Sequence, residues 1–259
     1  MDIQHLAYGW ATPAAAYLMS TLGAGIGLYS ASRIRTAHTP AWRRTWLTLA
    51  AISLGCLGIW TMHFLAMLGY RVPGGVHYDP GLTAASAVLA IAAVGVGLTI
   101  ATNSAHHPAR IAAAGTITGL GVAAMHYTGM RAMHLHTAIT YQPALVAASI
   151  ALAVAASTAA LWLGTRNTRP AILAAAAATM GLAVSAMHYT GMAAVTITTD
   201  HPRALPVDGI ASDMLIVPAL VVILAVSAAL MLAMLAAPSP EDVQASQRIA
   251  DLRQQATRR

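Results

Sequence analysis

The feature that most constrains this chain is its series of long apolar segments separated by short polar breaks. Hydrophobic residues make up 58% of the sequence and charged residues only 8%, whereas a soluble domain carries about 25% charged residues. An apolar helix of about 20 residues is long enough to cross the hydrocarbon core of a bilayer. We therefore predict an all-α integral membrane protein, in contact with the lipid bilayer, rather than a soluble globular domain.

Seven segments have the required length and are predicted to be transmembrane helices. Breaks that contain Pro or Gly separate them, for example Pro73-Gly74-Gly75 and Asp200-His201-Pro202. The predicted spans are 11–32, 45–69, 81–102, 110–133, 143–164, 171–195 and 213–236. Residues 1–237 would then form one membrane domain, and 238–259 a short polar cytoplasmic tail. Because the N-terminus lacks the basic region of a cleavable signal peptide, the first segment is expected to remain as a span.

The arginines predict the orientation of these helices. Every one of the 14 basic residues is an arginine, and the spans place them very unequally on the two sides of the bilayer. One side holds Arg33, Arg35, Arg43, Arg44, Arg110, Arg166, Arg169, Arg248, Arg253, Arg258 and Arg259; the other holds Arg71, Arg131 and Arg203. Because basic loops stay in the cytoplasm, we predict an outside N-terminus and a cytoplasmic C-terminus in the inner (plasma) membrane. The arginines behind the net charge of +6 are distributed according to the two sides of the membrane. The charge therefore does not indicate nucleic acid as a partner.

A short motif recurs at the same point of alternate spans. It reads "MHFLAM" at 62–67 and "MHYTGM" at both 125–130 and 187–192. The histidines His63, His126 and His188 are therefore two spans apart, so helices 2, 4 and 6 run in the same direction and carry the motif at one depth, near the outer face. We predict three two-helix pseudo-repeats, about 1–75, 76–139 and 140–200, related by an axis along the membrane normal. Helix 7 lies outside the repeat.

The residue types in the motif are those of a metal site. A histidine and a methionine four residues later share one face of a helix, while the preceding methionine is rotated by about 100°. Imidazole and thioether without thiolate or carboxylate favour copper, especially Cu(I). Zinc held by three imidazoles and haem held by paired histidines are alternatives. The predicted ligands are His63, His126, His188, Met67, Met130, Met192, Met62, Met125 and Met187.

Other residues near this depth are candidates for supporting roles. A ligating histidine usually donates its second N–H to a neighbouring acceptor, and the hydroxyls at hand are Tyr127, Tyr189, Thr128 and Thr190. His5, His134 and His136 are candidate auxiliary ligands. The first six spans contain no Asp or Glu, which disfavours a carboxylate-bridged di-iron site and a carboxylate proton relay. The single Cys56 excludes an intramolecular disulfide.

At these motifs the chain resembles the MHYT domain family of bacterial integral membrane sensors. The likeness includes "GIWTMHFLAMLGYRVP" at 58–73, "YDPGLTAAS" at 78–86, "GVAAMHYTGMRAM" at 121–133 and "MGLAVSAMHYTGMAA" at 180–194. It implies a membrane sensory domain that binds copper through the Met and His of each motif and senses O2, CO or NO. The first copy departs from the pattern, with Phe64 and Leu65 in place of Tyr and Thr.

Many members of that family carry a cyclase, phosphodiesterase, kinase or DNA-binding domain after the last helix. The 22 residues of 238–259 are too short for such a domain. The resemblance therefore implies either a separate cytoplasmic signalling partner or a chain that is a piece of a longer sensor.

Two other functions remain open at the level of sequence. Copper with an open position could serve a membrane oxidase or oxygenase acting at the outer face, although few acid–base groups lie beside the motifs. A copper transporter would need further ligands deeper in the bilayer, where Cys56 and a few methionines such as Met180 are the candidates. A sensory role without enzymatic activity is the preferred interpretation.

Overall fold

A computed structural model of the chain has the expected helical architecture. It describes residues 8–37, 39–72, 75–103, 107–135, 138–166, 169–198 and 209–236, together with 245, 248–249 and 255–256. Seven helices of 24 to 29 residues occupy the described ranges. They are α1 (Ala11–Ile34), α2 (Pro40–Leu68), α3 (Pro80–Asn103), α4 (Pro108–Arg131), α5 (Pro143–Arg166), α6 (Pro170–Ala193) and α7 (Ser212–Ala236).

Prolines determine where most of these helices begin. Five of the seven start at a proline, a residue favoured in the first helical turn because its missing N–H has no partner there in any case. Side-chain oxygens accept hydrogen bonds from some of the other backbone N–H groups in the first turns. The Thr39 hydroxyl accepts the N–H of Trp42 at 3.2 Å, and the Asp79 carboxylate accepts the N–H of Leu82 at 2.8 Å.

Within the described residues, four helices have the length and composition needed to cross a membrane, namely α2, α3, α5 and α6. The helices α1 and α4 contain many Gly, Ser and Thr residues, which dilutes their apolar character. The described part of α7 contains the shorter apolar segment Ile223–Ala233. A helical membrane protein is thus supported, while the number of seven spans and their orientation stay predictions.

The first six helices close a ring. Each helix packs on the next, and α6 returns to pack on α1. Glycines allow the close approach of α1 and α2, because a Cβ added at Gly23 would lie 2.3 Å from the backbone nitrogen of Gly58. Such small-residue contacts are the usual basis of helix packing in lipid. Gly58 itself belongs to a wider π-helical stretch of α2, Ser53–Trp60.

The all-α prediction missed five short strands that lie within the described residues. They are β1 (His77–Tyr78), β2 (Met133–His134), β3 (Ala138–Tyr141), β4 (Val195–Thr198) and β5 (Ile210–Ala211). One sheet has the order β2-β1-β5, and β3 pairs with β4. The strands occupy connections at the end of the ring that follows the three Met-His motifs, called here the motif end. Pairing satisfies backbone groups that no longer lie in helices, and two to four residues are too few to show a strand pattern in the sequence.

By internal contacts the chain divides into two compact units, residues 1–223 and 224–259. The first unit contains α1 to α6, the five strands and the beginning of α7. It therefore contains all three Met-His motifs.

Candidate metal centre

Helices α2, α4 and α6 bring the three motif histidines together. The Nδ1 atoms of His63 and His188 are 3.0 Å apart, those of His63 and His126 3.1 Å, and those of His126 and His188 3.3 Å. The ring centroids are 4.9 to 5.1 Å apart, and the ring planes cross at 80° to 87°. Each histidine is at most 1% exposed. The three imidazoles, called the histidine triad below, thus direct equivalent nitrogens at one buried point.

This arrangement suits a cation. A neutral imidazole carries a single N–H, so two protonated Nδ1 atoms in the triad would oppose each other, and three lone pairs would repel unless a positive charge lay among them. Three nitrogens bound at about 2.0–2.1 Å to one tetrahedral ion are about 3.3–3.4 Å apart, close to the observed separations. The triad can therefore bind a metal. Among the His, Cys, Asp and Glu side chains of the described residues, it is the one group of three with suitable spacing.

The glycine of the motif makes room for the triad. A Cβ added at Gly129 would lie 2.4 Å from Nε2 of His63, and one added at Gly191 would lie 2.4 Å from Nε2 of His126. Each of these imidazoles thus rests on the glycine of the next copy. In the first copy the equivalent position is occupied by Ala66. The sequence signal for this role was the recurrence of Gly in two copies.

No hydrogen bond within the described residues joins the hydroxyls expected to support the triad to its free Nε2 atoms. Nε2 of His63 and Nε2 of His126 have no hydrogen-bond partner among the described residues. The Tyr127 hydroxyl shares a 2.7 Å hydrogen bond with Ser149 instead, and the Tyr189 hydroxyl is buried without a partner in the described part of the chain. Thr128 and Thr190 are half-buried on the same helices. A supporting role for these four residues stays a prediction.

The contact that Tyr127 makes differs among the three repeats. Phe64 replaces this tyrosine in the first copy, and there the indole N–H of Trp60 donates to Ser86 at 3.1 Å. Ser86 and Ser149 each follow a tyrosine by eight residues and are fully buried. The residue at that spacing after Tyr8 is Ala16, also fully buried. The third motif copy therefore has a tyrosine, Tyr189, whereas the position on α1 that is equivalent to Ser86 and Ser149 holds the alanine Ala16.

The six motif methionines are all buried. The second methionine of each copy, Met67, Met130 or Met192, belongs to one apolar cluster at the motif end, called the Met/Tyr cluster. Its other members are Tyr70, Val76, Tyr78, Ala132 and Met133. Of the first methionines, Met187 lines a small apolar cavity of about 10 Å³ together with Val122 and Val184. Metal ligation by thioether sulfur stays a prediction for all six, Met62 and Met125 included.

The Met/Tyr cluster is a region of low polarity. Tyr78 is fully buried within it, and burial, with a smaller effect of Tyr70, raises the pKa of the Tyr78 phenol. Burial and the neighbouring Tyr141 also raise the pKa of Tyr70. Both phenols are thus neutral at physiological pH. Since Met67 follows His63 by one helical turn, the cluster lies next to the triad along α2.

The candidate auxiliary histidines have different outcomes. His5 and His136 lie outside the described residues. His134 lies in β2 directly opposite His77 of β1. No sequence signal singles out His77, because only the strand pairing brings it beside His134.

Comparison with known proteins relates the chain to bacterial signalling proteins that contain the MHYT repeat. Residues 57–114 and 119–177 match the family model MHYT, described as "Bacterial signalling protein N terminal repeat". The chain is 39% identical over 189 residues to the bifunctional diguanylate cyclase/cyclic di-GMP phosphodiesterase MucR of Pseudomonas aeruginosa, covering 71% of this chain and 27% of that protein. It is 32% identical over 212 residues to the cyclic di-GMP phosphodiesterase NbdA of the same organism, covering 80% and 26%.

A third relative, the signaling protein YkoW of Bacillus subtilis, is 29% identical over 176 residues, covering 65% of this chain and 22% of that protein. The chain thus spans about a quarter of the length of these curated relatives. No solved structure matches it.

Proposed function

Because the chain belongs to the MHYT family of membrane signalling proteins, we propose that it is a sensory domain that binds copper at its histidine triad. Its relatives are signalling proteins, which supports a sensory role at a membrane. Copper as the metal, and O2, CO, NO or copper and redox state as the signal, are the specific parts of the proposal.

The convergence of three buried Nδ1 atoms carries this proposal. Residues more than 60 positions apart in the chain meet at 3.0 to 3.3 Å, and burying three imidazoles without a common ligand would be costly. Imidazole donors beside a methionine cluster favour copper over Mg²⁺, Ca²⁺ or Mn²⁺. When bound, copper supplies a centre that changes oxidation state and binds diatomic gases.

The triad is suited to transmit a signal, since each of three helices contributes one imidazole. A signal that favours a different spacing among His63, His126 and His188 would shift α2, α4 and α6 relative to one another. Such coupling requires that the signal bind two packing arrangements with different affinity. We place the motif end at the outer face, so the shift would reach the arginine-rich end in the cytoplasm. MucR and NbdA are named for cyclic di-GMP chemistry, and an output of that kind, attached or separate, is the proposed recipient.

The burial of the triad also favours a sensor over an oxidase. An oxidase of larger substrates needs an accessible metal, whereas the three histidines are at most 1% exposed. A small gas requires much less space. Sensing therefore fits the site better than substrate oxidation.

Metal analysis of the purified chain tests the proposal. After expression with added copper, wild-type protein is expected to contain one copper per chain, and the variants His63→Ala, His126→Ala and His188→Ala only traces. His107→Ala is the matched control, because His107 is exposed and precedes α4 at the opposite end of the helix; it should retain full copper.

Infrared spectra of the reduced protein under CO then test gas binding. A copper–carbonyl band in wild type, absent from the triad variants, is expected. Equal trace copper in wild type and in the triple variant would contradict the proposal.

A further inference from the structure

A second concave site lies at the motif end, apart from the triad. It has a volume of about 480 Å³ and is lined by residues that include Tyr8, Arg71, His77, Leu68, Val72 and Val76. Ligand pockets in proteins usually measure about 300–1,000 Å³. Its lining combines a cation, an imidazole and apolar side chains.

Arg71 is held in a defined position in this cavity. Its guanidinium lies 4.8 Å from the ring centroid of Tyr8, and its Nη2 donates to the Tyr8 hydroxyl at 2.6 Å. A guanidinium has five N–H donors. Among the described residues, Arg71 donates a side-chain hydrogen bond to the Tyr8 hydroxyl. The nearby carboxylate of Asp79, two residues after His77, accepts the N–H of Leu82 at the start of α3. Arg71 therefore retains donors and positive charge for a ligand.

His77 also lines this cavity. Its Nδ1 is buried and has no hydrogen-bond partner in the described part of the chain, an arrangement that costs free energy unless a ligand or water supplies one. Successive residues of a strand face opposite sides of a sheet. Because Tyr78 belongs to the Met/Tyr cluster, His77 and its cross-strand neighbour Ala211 face the cavity side, and both line it.

We propose that this cavity binds an oxyanion, a carboxylate or phosphate group, at Arg71 and His77. The planar guanidinium fork matches the two oxygens of such a group, and the imidazole of His77, which lines the same cavity, supplies a second donor. Leu68, Val72 and Val76 provide apolar contact for the remainder of the ligand. The group belongs either to a free solute or to a phospholipid headgroup.

The cavity is also connected to the triad through shared residues. Tyr70 and Val76 line it and belong to the Met/Tyr cluster, and Leu68 ends the helix that carries His63. An anion bound here contacts the same packing unit that adjoins the triad. This role rests on the sensory function proposed above, in which the oxyanion would be a second input beside the metal.

Calorimetric titration of the full chain tests this site. Protein in dodecyl maltoside and Tris chloride, free of copper, is titrated separately with sodium acetate, sodium succinate, inorganic phosphate and dihexanoyl phosphatidylglycerol. Saturable binding of at least one probe is expected, weakened at least tenfold in Arg71→Gln and severalfold in His77→Ala. Arg131→Gln is the control, since Arg131 is an exposed arginine at the end of α4 that does not line the cavity, and it should bind as wild type does.

The probes distinguish the two sources of the anion. Arg71-dependent binding of acetate, succinate or phosphate assigns the cavity to a free solute, and Arg71-dependent binding of the lipid alone assigns it to a headgroup. No saturable binding of any probe, or equal binding by wild type and Arg71→Gln, overturns the proposal. Thermal unfolding of Arg71→Gln at the wild-type temperature verifies its fold whether or not the chain binds copper, and so separates failure here from failure of the metal site.

Discussion

The imidazole of His63 rests on Gly129, with Nε2 only 2.4 Å from the position that a Cβ at that glycine would occupy. The contact joins α2 to α4, and Gly191 repeats it for His126 between α4 and α6. Each glycine therefore limits how far the imidazole of the previous motif copy can move away from the centre of the triad. One copy of the motif thus supplies the histidine, and the next copy supplies the glycine against which that histidine packs.

The first prediction follows from that contact. In Gly129→Ala the new methyl group displaces the His63 ring, because the two cannot coexist at 2.4 Å. Copper affinity, measured by competition with a Cu(I) chelator, is expected to fall roughly 10- to 100-fold, as for other changes to groups that orient a ligand. Gly191→Ala should act in the same way through His126.

Gly95→Ala is the control for this substitution. A Cβ at Gly95 would meet its nearest neighbour, the Ala51 methyl, at an ordinary 3.6 Å. Alanine is favoured over glycine in a helix by roughly 0.5–1 kcal/mol, so this variant should be as stable as wild type or slightly more so, with unchanged copper affinity. A loss of affinity equal to that of Gly129→Ala would show that the glycine contact is not the cause.

The second prediction compares two tyrosines at equivalent motif positions. Tyr127→Phe removes the 2.7 Å hydrogen bond to Ser149 and should destabilise the protein by about 0.6 kcal/mol, the average for such bonds between membrane helices. Tyr189→Phe removes a hydroxyl that has no partner among the described residues, so it should be neutral or stabilising. Thermal unfolding in one detergent measures both, and an equal loss in the two variants would contradict the assignment.

The third prediction concerns the serine missing from α1. Ala16→Ser restores the residue found at the equivalent positions 86 and 149, and we expect its hydroxyl to bond with Tyr189. The expected gain is about 0.6 kcal/mol. The gain should disappear in a Tyr189→Phe background, and a gain that persists there would mean that the serine acts through another contact.

The fourth prediction tests the orientation inferred from the arginines. In a Cys56→Ser background, Thr140→Cys in β3 should react with a membrane-impermeant maleimide in intact cells. Thr36→Cys, just after α1, should react only after the membrane is permeabilised. Both positions are exposed, so side-chain access is matched. The reverse labelling pattern would invert the topology.

Much of the architecture was predictable because it depends on local periodicity. Length and apolarity predicted the helices near their observed limits, for example 143–164 against Pro143–Arg166. The spacing of His63, His126 and His188 predicted parallel helices that carry the histidines at one depth, and the structure brings these residues together. The short strands were missed because two to four residues, such as His77–Tyr78, contain no recognisable alternation.

The sequence by itself thus determined a helical membrane protein, its threefold motif and the three histidines as candidate ligands. Only the tertiary structure decided that Nδ1 faces the centre, that Gly129 and Gly191 seat the imidazoles, and that Tyr127 bonds to Ser149 rather than to a histidine. It alone placed Arg71 and His77 in one cavity. The physical reason is that depth along a helix follows from residue number, whereas rotation about the helix axis and side-chain rotamer are set by the neighbours against which each helix packs.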